Sequence, residues 1–350
     1  MFFEKPNVLI QNSFEHINRD IIRKSNRLTL FIFLVYLAIL CLRHPLVGSD
    51  LGYGVSFGYL GRFSRIASNP WNNLTSGLEG LHYEIGFVYL DKLIGCITTN
   101  TNAYIAIISV ISFLPCYYFI KKNAEYPVES WLIFLSLPSA LMMYSGLRQA
   151  IAMGICLLAY RFVKEKRLIK FIICVFFASL FHRTALFFLV SYPMYYMNFS
   201  KNKKITSVVL LPLIFILKIP LLKAITSFFG ASLEVGETNA FMLLTLLSAI
   251  YVFVIIMSDE TSDVGAINLF YVACIIQAFG GANLLITRVG YYFLPFVSLV
   301  LPPLLNKKVA SVRTRVLIKT VVLLCFVALG LYLLATTDWA NTVNYKFYWK

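Results

Sequence analysis

Charged residues are scarce in this sequence. They make up 13% of its 350 residues, where a soluble chain carries about 25%. The shortage excludes an ordinary water-facing surface, and its complement is present: 59% of the residues are hydrophobic and 16% aromatic, with a mean hydropathy of +0.76. Several catalytic spacings are also missing. HExxH, the P-loop, GxGxxG and a DxD followed by basic residues do not occur, which leaves metalloprotease and nucleotide-binding readings without support. No CxxC relates the seven cysteines. Cys41, Cys116, Cys156, Cys174, Cys274 and Cys325 lie inside apolar runs and Cys96 beside one, so they read as small buried hydrophobes. No metal cluster, cofactor motif or internal repeat is visible, and metal independence is expected.

What is present is a series of eleven apolar runs, at residues 28–44, 103–120, 131–147, 149–163, 168–183, 185–199, 205–220, 240–257, 265–283, 289–305 and 316–335. A span needs about 20 such residues, so the pattern predicts an all-α polytopic membrane protein with about eleven transmembrane helices, several of them short. Pro115, Pro138, Pro193, Pro212, Pro295 and Pro302 sit within or near the ends of these runs and predict kinks and half-helices. The first run could pass for a signal-peptide core, but Arg43-His44-Pro45 follows it without a small-residue cleavage site, which favours a retained anchor.

The formal charge of +15 comes from 31 Lys and Arg that cluster between the runs. Such clusters orient a membrane protein and leave no basic-aromatic surface for nucleic acid. Residues 84–98 decide the orientation. If they do not span, about twenty Lys and Arg fall on the cytoplasmic side; if they do, the later loops invert and only about a dozen remain there. The first arrangement makes 84–98 a re-entrant or interfacial outer-face helix, with the N-terminus inside and the C-terminus outside. The organisation expected is then a cytoplasmic interfacial segment at 1–27, one membrane domain at 28–335 with outer loops at 45–102 and 221–239, and an external tail at 336–350. Lys218, Lys223, Glu234 and Glu237 suggest an amphipathic outer-loop helix.

Ionisable residues near the membrane core each cost about 2.5–3.5 kcal/mol at a helix centre, and here they share the outer side. Asp50 lies in the first outer loop and Glu84 at its end. Arg148 and Gln149 follow the tight turn Tyr144-Ser145-Gly146-Leu147, His182 and Arg183 lie at an outer junction, and Arg288 precedes Tyr291 and Tyr292. Arg148, Arg183 and Arg288 are each expected near the N-terminus of a descending helix, where free N–H groups and a forked guanidinium suit phosphate oxygens. The bland alternative is that some of these arginines snorkel to lipid phosphates. His182 alone would more often be structural; His16 and His44 have no special context, and His82 neighbours Glu84 only in sequence.

The segment Ser145-Gly146-Leu147-Arg148-Gln149-Ala150-Ile151-Ala152, followed by Phe181-His182-Arg183-Thr184-Ala185-Leu186, resembles the "RQxIA" and "FHxSAL" motifs of the EpsG family of Wzy-type polysaccharide polymerases. Arg183-Thr184 departs from the usual small residue and Ser. Weaker similarities are Gly48-Ser49-Asp50 with Tyr53, Glu84-Ile85-Gly86-Phe87, Arg288 to Phe293, and Tyr345-Lys346-Phe347. The resemblance implies a multi-pass enzyme of the bacterial cytoplasmic (inner) membrane that joins undecaprenyl-diphosphate-linked oligosaccharide repeat units into O-antigen, capsule or another surface polysaccharide. It implies no cofactor, and a chain-length regulator and a flippase as candidate partners beside the lipid bilayer. Arg148, Gln149, Arg183, Arg288, Tyr291 and Tyr292 are the expected diphosphate-binding residues. Three residues compete as general base: His182, which the matched motif carries, and the carboxylates Glu84 and Asp50. The alternatives are a glycosyltransferase using a polyprenyl-phosphate sugar and a lipid-linked oligosaccharide flippase, for which charge at several depths and two similar halves would be expected.

The orientation is directly testable. In a cysteine-free background, single cysteines at Ser145 and Asn283 should react with a membrane-impermeant thiol reagent from outside and one at Lys166 should not; labelling of position 166 from outside overturns the map.

Overall fold

A computed structural model describes residues 8–52, 58–74, 84–199, 201–228, 241–280, 282–307, 311–336, 340–343 and 345–349. Tyr53, His82, Glu234 and Glu237 lie outside the described residues, as do 1–7 of the N-terminal segment and 229–239 of the second outer loop. The described chain is helical: α1 (Val8–Cys41), α2 (Tyr59–Ser68), α3 (Ile85–Gly95), α4 (Thr101–Asn123), α5 (Pro127–Leu135), α6 (Pro138–Leu141), α7 (Leu147–Lys164), α8 (Leu168–Ser179), α9 (Ser191–Tyr196), α10 (Lys201–Phe228), α11 (Phe241–Met257), α12 (Val264–Ala278), α13 (Leu284–Gly290), α14 (Val297–Leu305) and α15 (Val312–Thr336). Short 3-10 turns occupy Ser49–Leu51, Trp71–Asn73, Arg183–Val190 and Leu294–Phe296. The one β-type contact among the described residues is an antiparallel bridge between Arg43 and Phe347.

Four helical stretches are long and apolar enough to cross a membrane: Thr101–Asn123, Thr206–Ala224, Leu285–Leu305 and Val312–Thr336. Shorter apolar helices are Ser25–Cys41, Leu168–Ser179, Phe241–Met257 and Val264–Ala278. The chain is therefore an all-helical membrane protein. Its interior is built on α7, whose Ala150, Ile151, Ala152, Met153, Cys156 and Tyr160 are buried. A Cβ at Gly154 would meet the Ser112 carbonyl oxygen at 3.0 Å and Pro115 at 3.1 Å, so the missing side chain lets α4 and α7 approach closely, as small residues do between membrane helices. The outer ring shows the reverse pattern. Ile173 and Phe176 on α8, Val209 and Ile216 on α10, and Leu317, Leu324 and Leu331 on α15 are exposed, an apolar girdle that only lipid can cover.

Local chemistry explains the element ends. Asn100 caps α4 by accepting from Asn102 N at 2.9 Å and Ala103 N at 3.1 Å, while Lys121 and Lys122 sit in its last turn. Asp263 caps α12 through Ala266 N at 2.9 Å. The run at 131–147 is not one helix: α5 stops at Leu135, because Pro138 has no N–H to continue the ladder and opens α6 instead. The run at 185–199 is likewise divided into the 3-10 turn and α9, and 289–305 is interrupted by Tyr291–Phe293 before the 3-10 turn at Pro295. Two segments are more continuous than expected. The N-terminal segment and the first span form the single helix α1, and α10 runs through Lys218 and Lys223 to Phe228.

The segment expected as loop 45–102 contains α2. Arg62 is fully buried and donates through Nε (3.1 Å) and Nη2 (2.8 Å) to Asp91 Oδ2 on α3. Tyr104 on α4 donates to Asp91 Oδ1 at 2.9 Å, and the guanidinium lies 4.5 Å from the Phe87 ring centre and 5.1 Å from that of Tyr59. Asp91 and Lys92 thus lie on the inward face of α3, since Lys92 also reaches the carbonyls of Ala67 (2.9 Å) and Asn69 (2.6 Å). Ile85, Tyr89, Leu93 and Ile97 recur every fourth residue on the exposed side, which suits a helix lying at an interface. At eleven residues, α3 is too short to span.

Removing one member of this buried pair should be costly. Asp91→Ala is expected to lower stability by about 3–5 kcal/mol, measured by thermal unfolding in detergent, whereas Arg62→Met combined with Asp91→Leu should recover most of it. A single variant as stable as the wild type would contradict the buried-pair account.

Candidate active site

The site is assembled at the junction of α3, α7, α8 and the 3-10 turn at Arg183–Val190. Glu84 precedes α3, whose entry is fixed by Gly86: its N–H donates to the Leu180 carbonyl at 2.9 Å, and a Cβ there would fall 2.8 Å from the same oxygen. Only glycine permits this approach, which carries the Glu84 carboxylate to the end of α8. There Oε2 receives Arg148 Nη1 at 2.5 Å, and Oε1 receives the Arg183 backbone N–H at 3.1 Å. His182 Nδ1 lies 3.2 Å from Oε1; its angle is poor for a hydrogen bond, but its dipole still favours the carboxylate. Tyr59 of α2 accepts from Arg148 Nε at 3.3 Å. Burial disfavours the charged form of Glu84, but the His182 ring, the Arg148 guanidinium and backbone N–H groups outweigh it and hold its pKa at about 2.

The remaining predicted residues are tied to this centre by identifiable contacts. Gln149 Nε2 donates to the Arg288 carbonyl at 2.6 Å, joining α7 to α13. Thr184 and Tyr292 share a hydroxyl contact of 3.2 Å, and Tyr291 is buried close enough to Arg288 to feel its charge. Asp50 is exposed; its N–H donates to Ser145 Oγ at 3.1 Å, and its charge is felt by Tyr59. The Arg183 side chain is exposed and that of Arg288 partly so, while Arg148 retains 19% side-chain exposure.

One expectation about these cations is corrected. Arg148 is the second residue of α7, and Arg183 begins a 3-10 turn, but Arg288 lies in the last turn of α13. The run from 289 is broken before α14 by residues that include Pro295, so no helix N–H groups assist Arg288. The C-terminal end of a helix stabilises its charge instead. Ser145 is also fully buried, which leaves Asn283 as the better external reporter of orientation.

Reasoning from sequence missed the supports. Arg43, fully buried, donates to Leu40 O (2.7 Å), Ser109 Oγ (3.0 Å) and Tyr144 O (3.4 Å), so it ends α1 and holds the turn before Arg148. Gly48, at φ +107°, brings its Cα so close to the Tyr144 carbonyl that a Cβ would overlap it. The tail completes the arrangement: His44 N donates to Lys346 O at 2.8 Å, Tyr348 N to Leu42 O at 3.0 Å and Tyr345 Oη to Ile39 O at 2.7 Å. These contacts give physical roles to the weak Gly48-Ser49-Asp50 and Tyr345-Lys346-Phe347 similarities. The signal available in the sequence was an arginine at the end of an apolar run, which also serves as a simple flank. A separate cavity of about 300 Å³, lined by residues that include Asn123, Tyr126, Asp263 and Lys307, contains none of the predicted site residues. No group of metal-ligating side chains occurs among the described residues.

The family model for the EpsG family matches residues 26–347. The chain belongs to the EpsG family. This is a family of Wzy-type polymerase-like membrane proteins, and membership gives the chain a membrane polysaccharide-polymerase-like role. The match covers α2, α3 and the tail as well as the two central motifs, so the supports of the site fall within the family unit. No curated protein and no solved structure matches.

The depressed Glu84 pKa has a definite consequence for stability. The unfolded carboxyl, with an ordinary value of 4.5, takes a proton before the folded one at about 2, so the stabilisation from Glu84 is complete above the first value and is lost as pH falls towards the second. The thermal midpoints of wild type and Glu84→Gln should therefore differ by a constant amount from about pH 8 to about pH 5 and converge below that. A gap that persists unchanged into acid would remove the ionised carboxylate as its source.

Proposed function

We propose that this protein polymerises undecaprenyl-diphosphate-linked oligosaccharide repeat units at the outer face of the bacterial cytoplasmic membrane, yielding an O-antigen, capsular or related surface polysaccharide. The observation that carries the reading is the shared Glu84 carboxylate, which gathers a forked cation, an imidazole and the Arg183 backbone N–H; in this reading the site opens towards the side chains of Arg183 and of Arg288, whose carbonyl Gln149 holds. The assignment to the outer face rests on the charge distribution among the loops, with eleven spans, the N-terminus inside and the C-terminus outside. A chain-length regulator and a flippase are the partners this activity would require.

In the proposed reaction a hydroxyl oxygen of the acceptor repeat attacks the anomeric carbon of the donor, and the bond from that carbon to the diphosphate oxygen breaks. The electron pair leaves with the diphosphate, where Arg148, Arg183 and Arg288 stabilise the charge. The acceptor proton passes to His182. Glu84 can only accept while ionised, so it favours the tautomer with the proton on Nδ1, leaving Nε2 as the base. This makes Glu84 the orienting group and His182 the base, with exposed Asp50 as the carboxylate left to replace it. Tyr291 and Tyr292 support the Arg288 and Thr184 side of the opening.

Arg148→Lys should lose most activity although its charge is retained, because a point charge cannot reproduce forked contacts to diphosphate and carboxylate. His182→Gln should reduce the rate of product-ladder formation by about 100- to 10,000-fold while donor binding survives. A Gln variant with full rate and an unchanged pH profile eliminates His182 and moves the base to Asp50.

A further inference from the structure

The buried wall of the site contains three polar atoms that make no hydrogen bond to a described residue: Gln149 Oε1 and both ring nitrogens of His182. Both residues are more than nine-tenths buried, with relative exposures of 2% and 8%. Their chemistry is fixed by what their other ends do. Gln149 Nε2 donates to the Arg288 carbonyl, which identifies the free end of the amide as the oxygen. His182 turns Nδ1 to within 3.2 Å of the Glu84 carboxylate, where the negative charge favours the ring proton on Nδ1 and leaves the lone pair on Nε2. Gln149 Oε1 and His182 Nε2 are therefore acceptors, on α7 and on the N-terminal side of the 3-10 turn that packs against it. A diphosphate oxygen brought to either would meet like charge, whereas a hydroxyl would supply the missing proton.

We propose that Gln149 Oε1 and His182 Nε2 form a subsite that reads sugar hydroxyl groups, so that Gln149 determines sugar specificity instead of contacting the diphosphate. The inference rests on the lipid-diphosphate glycosyl-transfer reading above and divides the site by polarity: arginine donors outside for the anionic leaving group, and unsatisfied acceptors inside for the carbohydrate. A buried acceptor left unpaired is unfavourable, and a site built to pair such an atom rejects ligands that lack the matching hydroxyl. The cover is α13, held over Gln149 by the Arg288 carbonyl. It is a seven-residue helix ending at Gly290, and the sugar enters as this contact loosens.

The test compares equilibrium binding, in nanodiscs, of bare polyprenyl diphosphate and of polyprenyl diphosphate carrying glucose, galactose or N-acetylglucosamine. The wild type should bind at least one sugar-bearing lipid more tightly than the bare one. Gln149→Met removes both polar ends; Gln149→Lys keeps a donor for the Arg288 carbonyl and removes only the acceptor. Both variants should reduce the sugar preference by about three- to tenfold, while Gln149→Lys binds the bare lipid at least as tightly as the wild type. A sugar preference unchanged in Gln149→Lys overturns the proposal, as does a wild type without sugar preference. Parallel loss of both lipids in the two variants would return Gln149 to the diphosphate. Failure of the wild type to bind any polyprenyl diphosphate would instead defeat the functional reading beneath it.

Discussion

The Glu84 carboxylate holds the site together because it is shared by groups from three otherwise separate parts of the chain. Arg148 comes from the start of α7, His182 and the Arg183 N–H from the junction after α8, and Glu84 itself from the entry to α3. A largely buried cation needs an opposite charge and hydrogen-bonding geometry together, and one carboxylate meets both needs here. The same carboxylate lies 3.2 Å from Nδ1 of the imidazole, so the electrostatics of both side chains depend on one anion.

That arrangement requires close approach of backbone to backbone, and small residues provide it. Gly86 lets α3 meet the Leu180 carbonyl, Gly48 lets the first outer loop meet the Tyr144 carbonyl, and Gly154 lets α4 meet α7. Buried guanidinium groups then lock the approaches. Arg62 holds α2 to α3 through Asp91 and lies over the Tyr59 and Phe87 rings, while Arg43 holds the end of α1 to the turn before Arg148. Tyr59 links the two layers, because its ring faces Arg62 and its hydroxyl accepts from Arg148. The candidate site is thus backed by polar contacts on a frame otherwise held by apolar packing, and the lipid-facing helices α10 and α15 contribute little to it beyond enclosure.

Much of the fold was legible because membrane helices must satisfy their own backbone groups and cover themselves with apolar side chains. The runs that became α4, α7, α11, α12 and α15 appear in the sequence near their observed positions. Where the reading departed, a local cause is visible: Pro138 divides α5 from α6, and the segment read only as loop 45–102 contains α2, whose Arg62 faces inward to Asp91. Helix-terminus geometry at Arg288 could not be read either, because the break after α13 depends on how residues 291–296 fold and not on hydropathy alone.

The sequence alone determined the membrane class, the all-helical architecture and the short roster of unusual polar residues, since charge in an apolar run is expensive wherever it folds. It also carried the two central motifs and the likeness to the EpsG family. Only the tertiary structure decided which of those residues meet. The sharing of Glu84 among Arg148, His182 and Arg183, the direction in which the Gln149 amide points, and the burial of Arg43, Arg62 and Asp91 all depend on contacts between residues far apart along the chain. Periodicity reports which face of a helix is apolar, but not which other helix that face will find; close packing and the pairing of buried polar groups make that choice.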